Sequence, residues 1–134
     1  MLKRFLIPVL AGVAVAAFTL TSEHTVRAAA SDGKAIYDGK CASCHQANGQ
    51  GLASTFPPLA GNKDVTGDPT KVITSVVKGV NGSITVNGKS YNGAMPAWRG
   101  QLSDADIAAV VTYIRSSWGN KASAVTEKQV AAVK

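Results

Sequence analysis

The sequence predicts a small all-α domain with a few short helices, little strand and two long loops. Its 134 residues allow one such domain. Apolar residues recur at helical spacing near the C-terminal end, and stretches rich in glycine and proline separate the helical segments. Aromatic residues make up only 6% of the chain, so its side chains alone would form a thin core. We therefore expect another group to fill the space between the loops.

The composition excludes several classes of protein. Hydrophobic residues make up 46% of the chain, which is close to the globular average and argues against disorder. Two cysteines are too few for a disulfide scaffold, a four-cysteine zinc site or an iron–sulfur cluster. The net charge is +6, but the basic residues form neither an arm nor a helix face, so nucleic-acid binding is not predicted.

Residues 1–30 have the pattern of a secretory signal peptide. Lys3 and Arg4 precede an apolar run over residues 5–20, and a polar segment leads to three alanines that end at Ala30. A basic start, an apolar centre and a small-residue cleavage site define such signals, and the natural cut follows Ala30. We therefore predict that the mature chain lies in the periplasm.

An uncleaved membrane anchor is the alternative interpretation of this segment. At 1.5 Å per residue the apolar run is about 24 Å long, which is shorter than the hydrocarbon core of roughly 30 Å. The run also contains Pro8. Both interpretations predict an oxidising compartment for the remaining chain. We divide that chain into a domain over residues 31–120 and a tail over residues 121–134.

The first helix is predicted just after the signal. Ser31 can cap a helix that carries Ile36 and Tyr37 toward Cys41. Glycine, proline and small residues then dominate residues 46–61, which we interpret as a long loop. Loops of this length are uncommon in compact domains and are usually functional.

A second helix and a hairpin follow this loop. Asp68 and Pro69 resemble an N-cap and a first helical residue, and the helix is predicted over Thr70–Lys78 with Gly79 as its stop. Its predicted buried face consists of Val72, Ile73, Val76 and Val77. The segment from Ile84 to Tyr91 alternates around Asn-Gly, the strongest short hairpin signal. Residues 93–100 are predicted to be a loop.

The clearest helix begins after Ser103, whose hydroxyl can cap it. Its predicted apolar face consists of Ile107, Val110, Val111, Ile114 and Trp118. Gly119 and Asn120 are predicted to end the helix. In the tail, Thr126 and Gln129 resemble a capping box for a short last helix that carries Val130 and Val133 inward.

The two cysteines of the chain lie in one motif, Cys41-Ala-Ser-Cys44-His45. This Cys-x-x-Cys-His pattern is typical of c-type haem attachment, in which each thiol adds to one vinyl group and the imidazole reaches the iron. A redox dithiol, a short disulfide and a zinc site are the alternatives. The dithiol lacks its usual βαβ context, the disulfide would close a tiny loop, and zinc would need a fourth ligand.

Met95 is the candidate for the second axial ligand of the iron. Besides Met1 it is the only methionine of the chain, and Pro96 directs it toward an extended turn. A soft thioether is a good ligand for ferrous iron. Met95 could instead fill a gap in the core. Ligation by two histidines would require His24, the only other histidine, which lies in the predicted signal peptide.

The motifs resemble those of class I cytochromes c, in particular the small monohaem bacterial periplasmic type. Cys41 to His45 near the start of the predicted mature chain and Met95-Pro96 fifty residues later match that family's ligand motifs in order and spacing. The resemblance implies an all-α class I cytochrome c fold. In that fold, three to five short helices wrap around one covalently bound haem c, and here a small hairpin precedes the axial methionine.

The resemblance also implies roles for further residues. The segment Phe56-Pro57-Pro58-Leu59-Ala60-Gly61 resembles the family's segment after the haem motif, so the Pro57 carbonyl is expected to accept a hydrogen bond from the His45 ring. A second acceptor of this kind fixes the tautomer of the imidazole. Leu59, Tyr91 and Trp98 are expected to line the haem site, where Tyr91 and Trp98 either pack on the haem or form a hydrogen bond with a propionate. Gly33, Tyr37 and Tyr113 resemble the positions where the first and last helices of the family meet.

The resemblance implies a one-electron carrier of a respiratory chain that is not itself an enzyme. Its expected partners are a redox donor and acceptor, such as a periplasmic dehydrogenase and a terminal oxidase or reductase, with transient docking to membrane complexes. Segments around the hairpin and Trp118-Gly119-Asn120 resemble cytochrome subunits of dehydrogenases and oxidases. An enzyme or ligand sensor with an open haem is the alternative. Without haem, the chain is expected to fold poorly.

The basic residues give a further hypothesis about the partner. Six of them flank the predicted haem loops: Lys40, Lys63, Lys71, Lys78, Lys89 and Arg99. Lysines around a haem edge can steer association with an acidic partner. An ordinary solvated surface explains them equally well.

Overall fold

The computed structural model describes residues 31–134. The predicted signal peptide and His24 lie outside the described residues. The described chain forms six helices and one hairpin: α1 Gly33–Lys40, α2 Ala42–His45, α3 Lys63–Thr66, α4 Pro69–Lys78, β1 Val80–Val86, β2 Lys89–Met95, α5 Asp104–Ser116 and α6 Glu127–Ala132. The count exceeds the three to five helices predicted, because α2 and α3 are single turns that are too short to have a recognisable period.

Helices α1 and α5 make the closest crossing of the fold. A Cβ at Gly33 would lie 2.2 Å from the Ala109 carbonyl oxygen, so only glycine fits there. The rings of Tyr37 and Tyr113 pack with their centroids 5.5 Å apart. The close approach expected at these positions is therefore confirmed, and it brings the start of the domain against its longest helix.

The N-cap of α1 is Asp32, and the prediction of Ser31 is wrong. The Asp32 carboxylate accepts hydrogen bonds from the backbone N–H groups of Lys34 at 3.0 Å and Ala35 at 3.1 Å. The Ser31 hydroxyl instead donates to the Asp106 carboxylate at 2.6 Å. Aspartate and serine are equally good caps, so a one-residue ambiguity is resolved only by the contact with α5.

The start, end and buried face of α4 agree with the prediction. The Asp68 carboxylate caps the helix through the Thr70 N–H, Pro69 is its first residue, and Gly79 ends it with φ of +73°. The four predicted apolar residues are buried.

The hairpin is longer than predicted. Its antiparallel strands pair from Val86 with Lys89 to Val80 with Met95, around the predicted Asn-Gly turn. Residues 93–95 are therefore strand rather than loop, and Met95 ends β2 instead of lying in a loop. The alternation is hard to read there because Gly82 and Gly93, which pair with each other, carry no side chain.

Helix α5 begins as predicted and ends earlier than predicted. Ser103 and Asp106 form a reciprocal capping box at its start. The helix ends at Ser116, so Trp118 lies beyond it, with φ of +53°. The hydroxyls of Ser116 and Ser117 donate to carbonyls of the preceding turn, at 2.9 Å and 2.6 Å. These local bonds compete with helix continuation, which the apolar period does not indicate.

The segment after Asn120 packs on α5. Its predicted capping box forms between Thr126 and Gln129, and Val130 of α6 is completely buried. The buried guanidinium of Arg115 donates to the carbonyls of Val65, at 2.6 Å, and Ser123, at 2.9 Å. These contacts join the tail, α5 and α3 into one core.

The core lies between α1, α4, α5 and α6. Within residues 31–134, every buried side-chain nitrogen and oxygen has a hydrogen-bond partner. In the same part of the chain, no helix is long and apolar enough to cross a membrane.

Candidate functional site

A cavity of about 770 Å³ lies between α2, the loop over residues 46–61, α4 and the hairpin. It is lined by all eight residues that the sequence analysis assigned to the haem site: Cys41, Cys44, His45, Pro57, Leu59, Tyr91, Met95 and Trp98. The fold thus brings the Cys-x-x-Cys-His motif and the methionine to one chamber, although fifty residues separate them.

The His45 imidazole is fixed by a backbone carbonyl. It is 8% exposed, and its Nδ1 lies 2.9 Å from the Pro57 carbonyl oxygen. Because a carbonyl only accepts, Nδ1 carries the proton and Nε2 is the nitrogen left with a lone pair. Burial lowers the pKa of His45, and the contact with Pro57 opposes this in part. A neutral imidazole is the form that binds metals.

The two thiols are held close together by one turn of backbone. The Cys44 N–H donates to the Cys41 carbonyl at 3.2 Å, and the His45 N–H donates to the same oxygen at 2.9 Å. Both cysteines are free and partly exposed. Burial, with a smaller contribution from Cys44, raises the pKa of the Cys41 thiol to about 11. A thiol with a raised pKa is a poor redox nucleophile at neutral pH.

The Met95 wall is formed by the end of β2 and the residues after it. Met95 pairs with Val80, and a Cβ at Gly79 would lie 2.5 Å from the Met95 carbonyl oxygen. The Trp98 N–H then donates to the Val76 carbonyl at 2.9 Å, which joins the segment to α4. This wall is therefore anchored to the end of α4.

The family model for cytochrome c matches residues 30–118 of the chain. The chain belongs to the cytochrome c family. It is 43% identical over 96 residues to cytochrome c-552 of Thermus thermophilus, an alignment that covers 69% of this chain and 64% of that protein. The family and its homologues support a class I monohaem cytochrome c, and they indicate electron transfer.

Two further relatives are components of larger enzymes. The cytochrome c subunit of alcohol dehydrogenase (quinone) from Gluconacetobacter polyoxogenes is 42% identical over 92 residues, which cover 67% of this chain and 19% of that subunit. Subunit CcoP of a cbb3-type cytochrome c oxidase from Azospirillum brasilense is 34% identical over 109 residues, covering 77% of this chain and 33% of that subunit. The aligned part of the chain therefore spans 19% of the first of these subunits and 33% of the second.

The cavity fits the haem c that this family implies. Its volume lies within the range of about 300–1,000 Å³ that is typical of cofactor pockets. Two thiols and a neutral imidazole come from consecutive turns of backbone, and a thioether lies on the same cavity. This donor set matches covalent attachment and soft axial ligation of iron.

Several cavity residues were missed by the sequence analysis. The apolar lining includes Val72, Val76, Val86, Leu102 and Ile114. The helical period of Val72, Val76 and Ile114 indicated burial but could not separate contact with a cofactor from contact with the core. Asn62 also lines the cavity, and its side chain donates to the Pro58 carbonyl at 2.9 Å. No sequence pattern distinguishes such an asparagine from a helix cap, which Asn62 also is.

The basic residues near the site differ in their contacts. Lys40 and Lys71 line the cavity, and Lys71 pairs with Asp64 at 2.9 Å. Arg99 belongs to a different structure, because its guanidinium donates to the Val130 carbonyl at 2.8 Å and lies 3.1 Å from Asp104. Arg99 therefore joins α5 to α6, and its part in steering a partner stays a prediction.

Proposed function

We propose that this cytochrome c is a one-electron carrier of a periplasmic respiratory chain, with one haem c attached through Cys41 and Cys44 and ligated by His45 and Met95. The observation that carries the proposal is the lining of one cavity by two thiols, a fixed imidazole and a thioether. When bound, haem c supplies exchange of one electron between Fe(III) and Fe(II).

The residues of the chain have distinct tasks in this proposal. Pro57 keeps the proton of His45 on Nδ1, which leaves Nε2 for the iron and makes the ligand more basic. Met95 as the second ligand raises the reduction potential. The apolar walls exclude water, which disfavours the additional positive charge of the ferric state. If His45 and Met95 both held the iron, the site would favour electron transfer over substrate activation.

The partners are proposed to be a redox donor and a redox acceptor, such as a periplasmic dehydrogenase and a terminal oxidase or reductase. The names of the relatives support this class, because they include a subunit of a quinone-dependent alcohol dehydrogenase and a subunit of a cbb3-type oxidase. Transient docking to membrane complexes is part of the proposal. The basic start, apolar centre and small-residue end of residues 1–30 support export to the periplasm.

The decisive experiment expresses the full chain with the haem-attachment machinery and records three spectra: pyridine haemochrome, ferric and ferrous. The proposal expects a c-type haemochrome, a low-spin ferric state and slow binding of carbon monoxide. The intact mass of the same sample reports one haem and the predicted cut after Ala30. A high-spin ferric state contradicts the carrier and supports the open-haem alternative. Absence of covalent haem contradicts both.

Substitution of Met95, the proposed second axial ligand, gives the most direct test of the ligand assignment. Met95→Leu keeps most of the apolar volume and removes the thioether. The reduction potential is expected to fall by on the order of 0.1 V or more, because axial ligands set haem potentials over a range of about 0.8 V. Carbon monoxide binding is expected to become fast.

Val76→Ala is the matched control for this substitution. It removes apolar volume from the same cavity without removing a ligand. Its carbon monoxide binding is expected to stay slow. If Met95→Leu and Val76→Ala give equal potentials and equally slow binding, Met95 is not the ligand.

A further inference from the structure

Residues 118–120, directly after α5, contact the long loop that carries Pro57. The Trp118 indole N–H donates to the Ala47 carbonyl at 3.0 Å, near the start of the loop. The Asn120 side chain accepts from the Gly61 N–H at 2.9 Å and donates to the Leu59 carbonyl at 3.0 Å, at the end of the loop. One short segment thus holds both ends of the loop.

The side-chain oxygen and both amide hydrogens of Asn120 form hydrogen bonds. The residue is buried, and its remaining amide hydrogen donates to the Ile114 carbonyl of α5 at 2.8 Å. A carbonyl needs a donor and an N–H needs an acceptor, so these three partners fix the orientation of the amide. Because both amide hydrogens and the oxygen are engaged, Asn120 joins the loop to α5 without freedom to rotate.

Trp118 makes its contact in a strained backbone conformation. Its φ of +53° is an outlier for a bulky residue, and such conformations persist only where the surroundings determine them. The ring covers Gly49, where a Cβ would lie 2.5 Å from the Trp118 ring. It also packs on Tyr37, with the centroids 4.9 Å apart. These contacts thus hold the indole on the loop against the backbone strain.

The rigid backbone from Pro57 to Leu59 couples the position of Leu59 to the direction of the carbonyl that contacts His45. Proline fixes φ at residues 57 and 58, and a residue before proline is restricted to extended conformations. The direction of the Pro57 carbonyl therefore depends on where Leu59 is held. Leu59 is bound on both sides, since its N–H donates to the Gly49 carbonyl at 2.7 Å and its carbonyl accepts from Asn120.

We propose that Asn120 and Trp118 are positioning residues that hold the Pro57 carbonyl on the His45 ring and thereby set the reduction potential. The inference rests on the proposed function, because it requires His45 as a ligand of the haem iron. Weakening this hydrogen bond makes the imidazole less basic and shifts the potential.

The test compares Asn120→Ala and Trp118→Phe with Val130→Ala. Val130 is completely buried in α6, away from the loop, so its truncation destabilises the fold without changing these contacts. The readouts are hydrogen exchange of the His45 ring N–H, followed by NMR in the ferrous protein, and the reduction potential. Exchange rates are compared after correction for the measured global stability of each variant.

Asn120→Ala is expected to speed the corrected ring exchange by about tenfold, the low end of the 10–100-fold effect that loss of a supporting partner has on metal affinity or activity. Trp118→Phe keeps the aromatic packing and is expected to give a smaller change in the same direction. Both are expected to shift the potential, whereas Val130→Ala leaves it at the wild-type value.

Two results overturn the inference without affecting the proposed function. In one, Asn120→Ala and Val130→Ala give the same corrected exchange and potential. In the other, Asn120→Ala does not fold and Trp118→Phe matches the wild type. A wild type without covalent haem, or without the His45–iron bond, overturns the proposed function and this inference together.

Discussion

The two walls that carry the proposed iron ligands are built differently. The His45 wall is an irregular loop fixed at many points, including Tyr37, whose hydroxyl donates to the Gln46 carbonyl at 2.6 Å. The Met95 wall is a hairpin of two strands that is exposed over most of its length. Two hydrogen bonds link it to the loop: the Asn92 N–H donates to the Ser54 carbonyl and the Asn87 side chain donates to the Gly61 carbonyl, both at 3.1 Å. The imidazole is thus held by a hydrogen bond of its own ring, whereas the thioether is placed through the backbone contacts of Met95.

The difference predicts how far the packing of each wall depends on a group bound in the cavity. An isolated two-stranded hairpin is marginal in water, and it needs an apolar partner for its buried face. In β1 and β2, the two buried side chains are Val86 and Tyr91, and both line the cavity. The group in the cavity therefore completes the core of the hairpin, whereas the loop already has α1, α5 and the residues after α5.

Loss of the haem is expected to have the largest effect on the protein. In the double variant Cys41→Ala/Cys44→Ala, which cannot form thioethers, circular dichroism is expected to lose the cooperative thermal transition. In hydrogen exchange, the hairpin amides are expected to lose protection before those of α1 and α5, whose crossing does not involve the cavity. A cooperative apoprotein with a protected hairpin would contradict this prediction.

A pair of glycine substitutions compares the walls directly. Gly51 and Gly88 both have positive φ, +65° and +77°, so alanine is strained at both positions. A Cβ at Gly51 would lie 2.2 Å from the Phe56 carbonyl oxygen and 2.7 Å from that of Pro57, whereas nothing lies within 4 Å at Gly88. The same substitution therefore meets backbone on the loop and open space on the hairpin.

Gly51→Ala is expected to lower the free energy of unfolding by about 3 kcal/mol, from left-handed strain of about 1–2 kcal/mol and overpacking of about 1–3 kcal/mol. Gly88→Ala is expected to lower it by about 1 kcal/mol, from strain alone. Denaturant unfolding of both ferric proteins measures the difference. Equal losses would mean that the loop yields as easily as the hairpin.

The sequence predicted the elements whose structure depends on interactions between neighbouring residues. The caps of α4 and α5, the capping box of the tail and the Asn-Gly turn form as predicted, because each depends on residues within a few positions. The Cys-x-x-Cys-His motif has the same property. Its chemistry can be inferred from five consecutive residues, without knowledge of the fold.

The features that the sequence could not predict depend on distant partners. Asn120 was expected only to end a helix, but its role depends on carbonyl and amide groups about sixty residues away. The same holds for Ser31, which bonds Asp106 rather than capping α1. The apolar period placed Trp118 on α5, although its indole binds the loop at Ala47. Periodicity records which side chains are buried but not which surface buries them.

The smallest expected effect concerns the acid sensitivity of the contact between Ser31, which precedes α1, and Asp106 in the first turn of α5. The Asp106 carboxylate accepts from the Ser31 hydroxyl at 2.6 Å and from the Ser103 hydroxyl at 2.7 Å. These bonds, first that of Ser31 and then those of Ser103, hold the pKa of Asp106 below its usual value. Because the folded pKa is lowered, the ionised carboxylate stabilises the folded state above the unfolded pKa of about 3.9.

Asp106→Asn is expected to lower the free energy of unfolding at pH 7 by about 0.3–1 kcal/mol, the usual range for an acidic residue in the first turn of a helix. The low end is expected, since solvent screens this exposed carboxylate. The difference from wild type should shrink as the pH falls below about 4 and through the lowered pKa of the folded state. Denaturant unfolding from pH 7 to pH 3 measures it, with Ser31→Ala as the matched variant. Ser31→Ala keeps the charge but removes the partner that lowers the pKa of Asp106 most. Its loss of stability on acidification should therefore be smaller than that of the wild type and complete at a higher pH, because the folded pKa lies closer to the unfolded one. If both variants follow the wild-type curve at every pH, the contact between Ser31 and Asp106 adds nothing to the stability of the crossing between α1 and α5, which then rests on the close approach at Gly33.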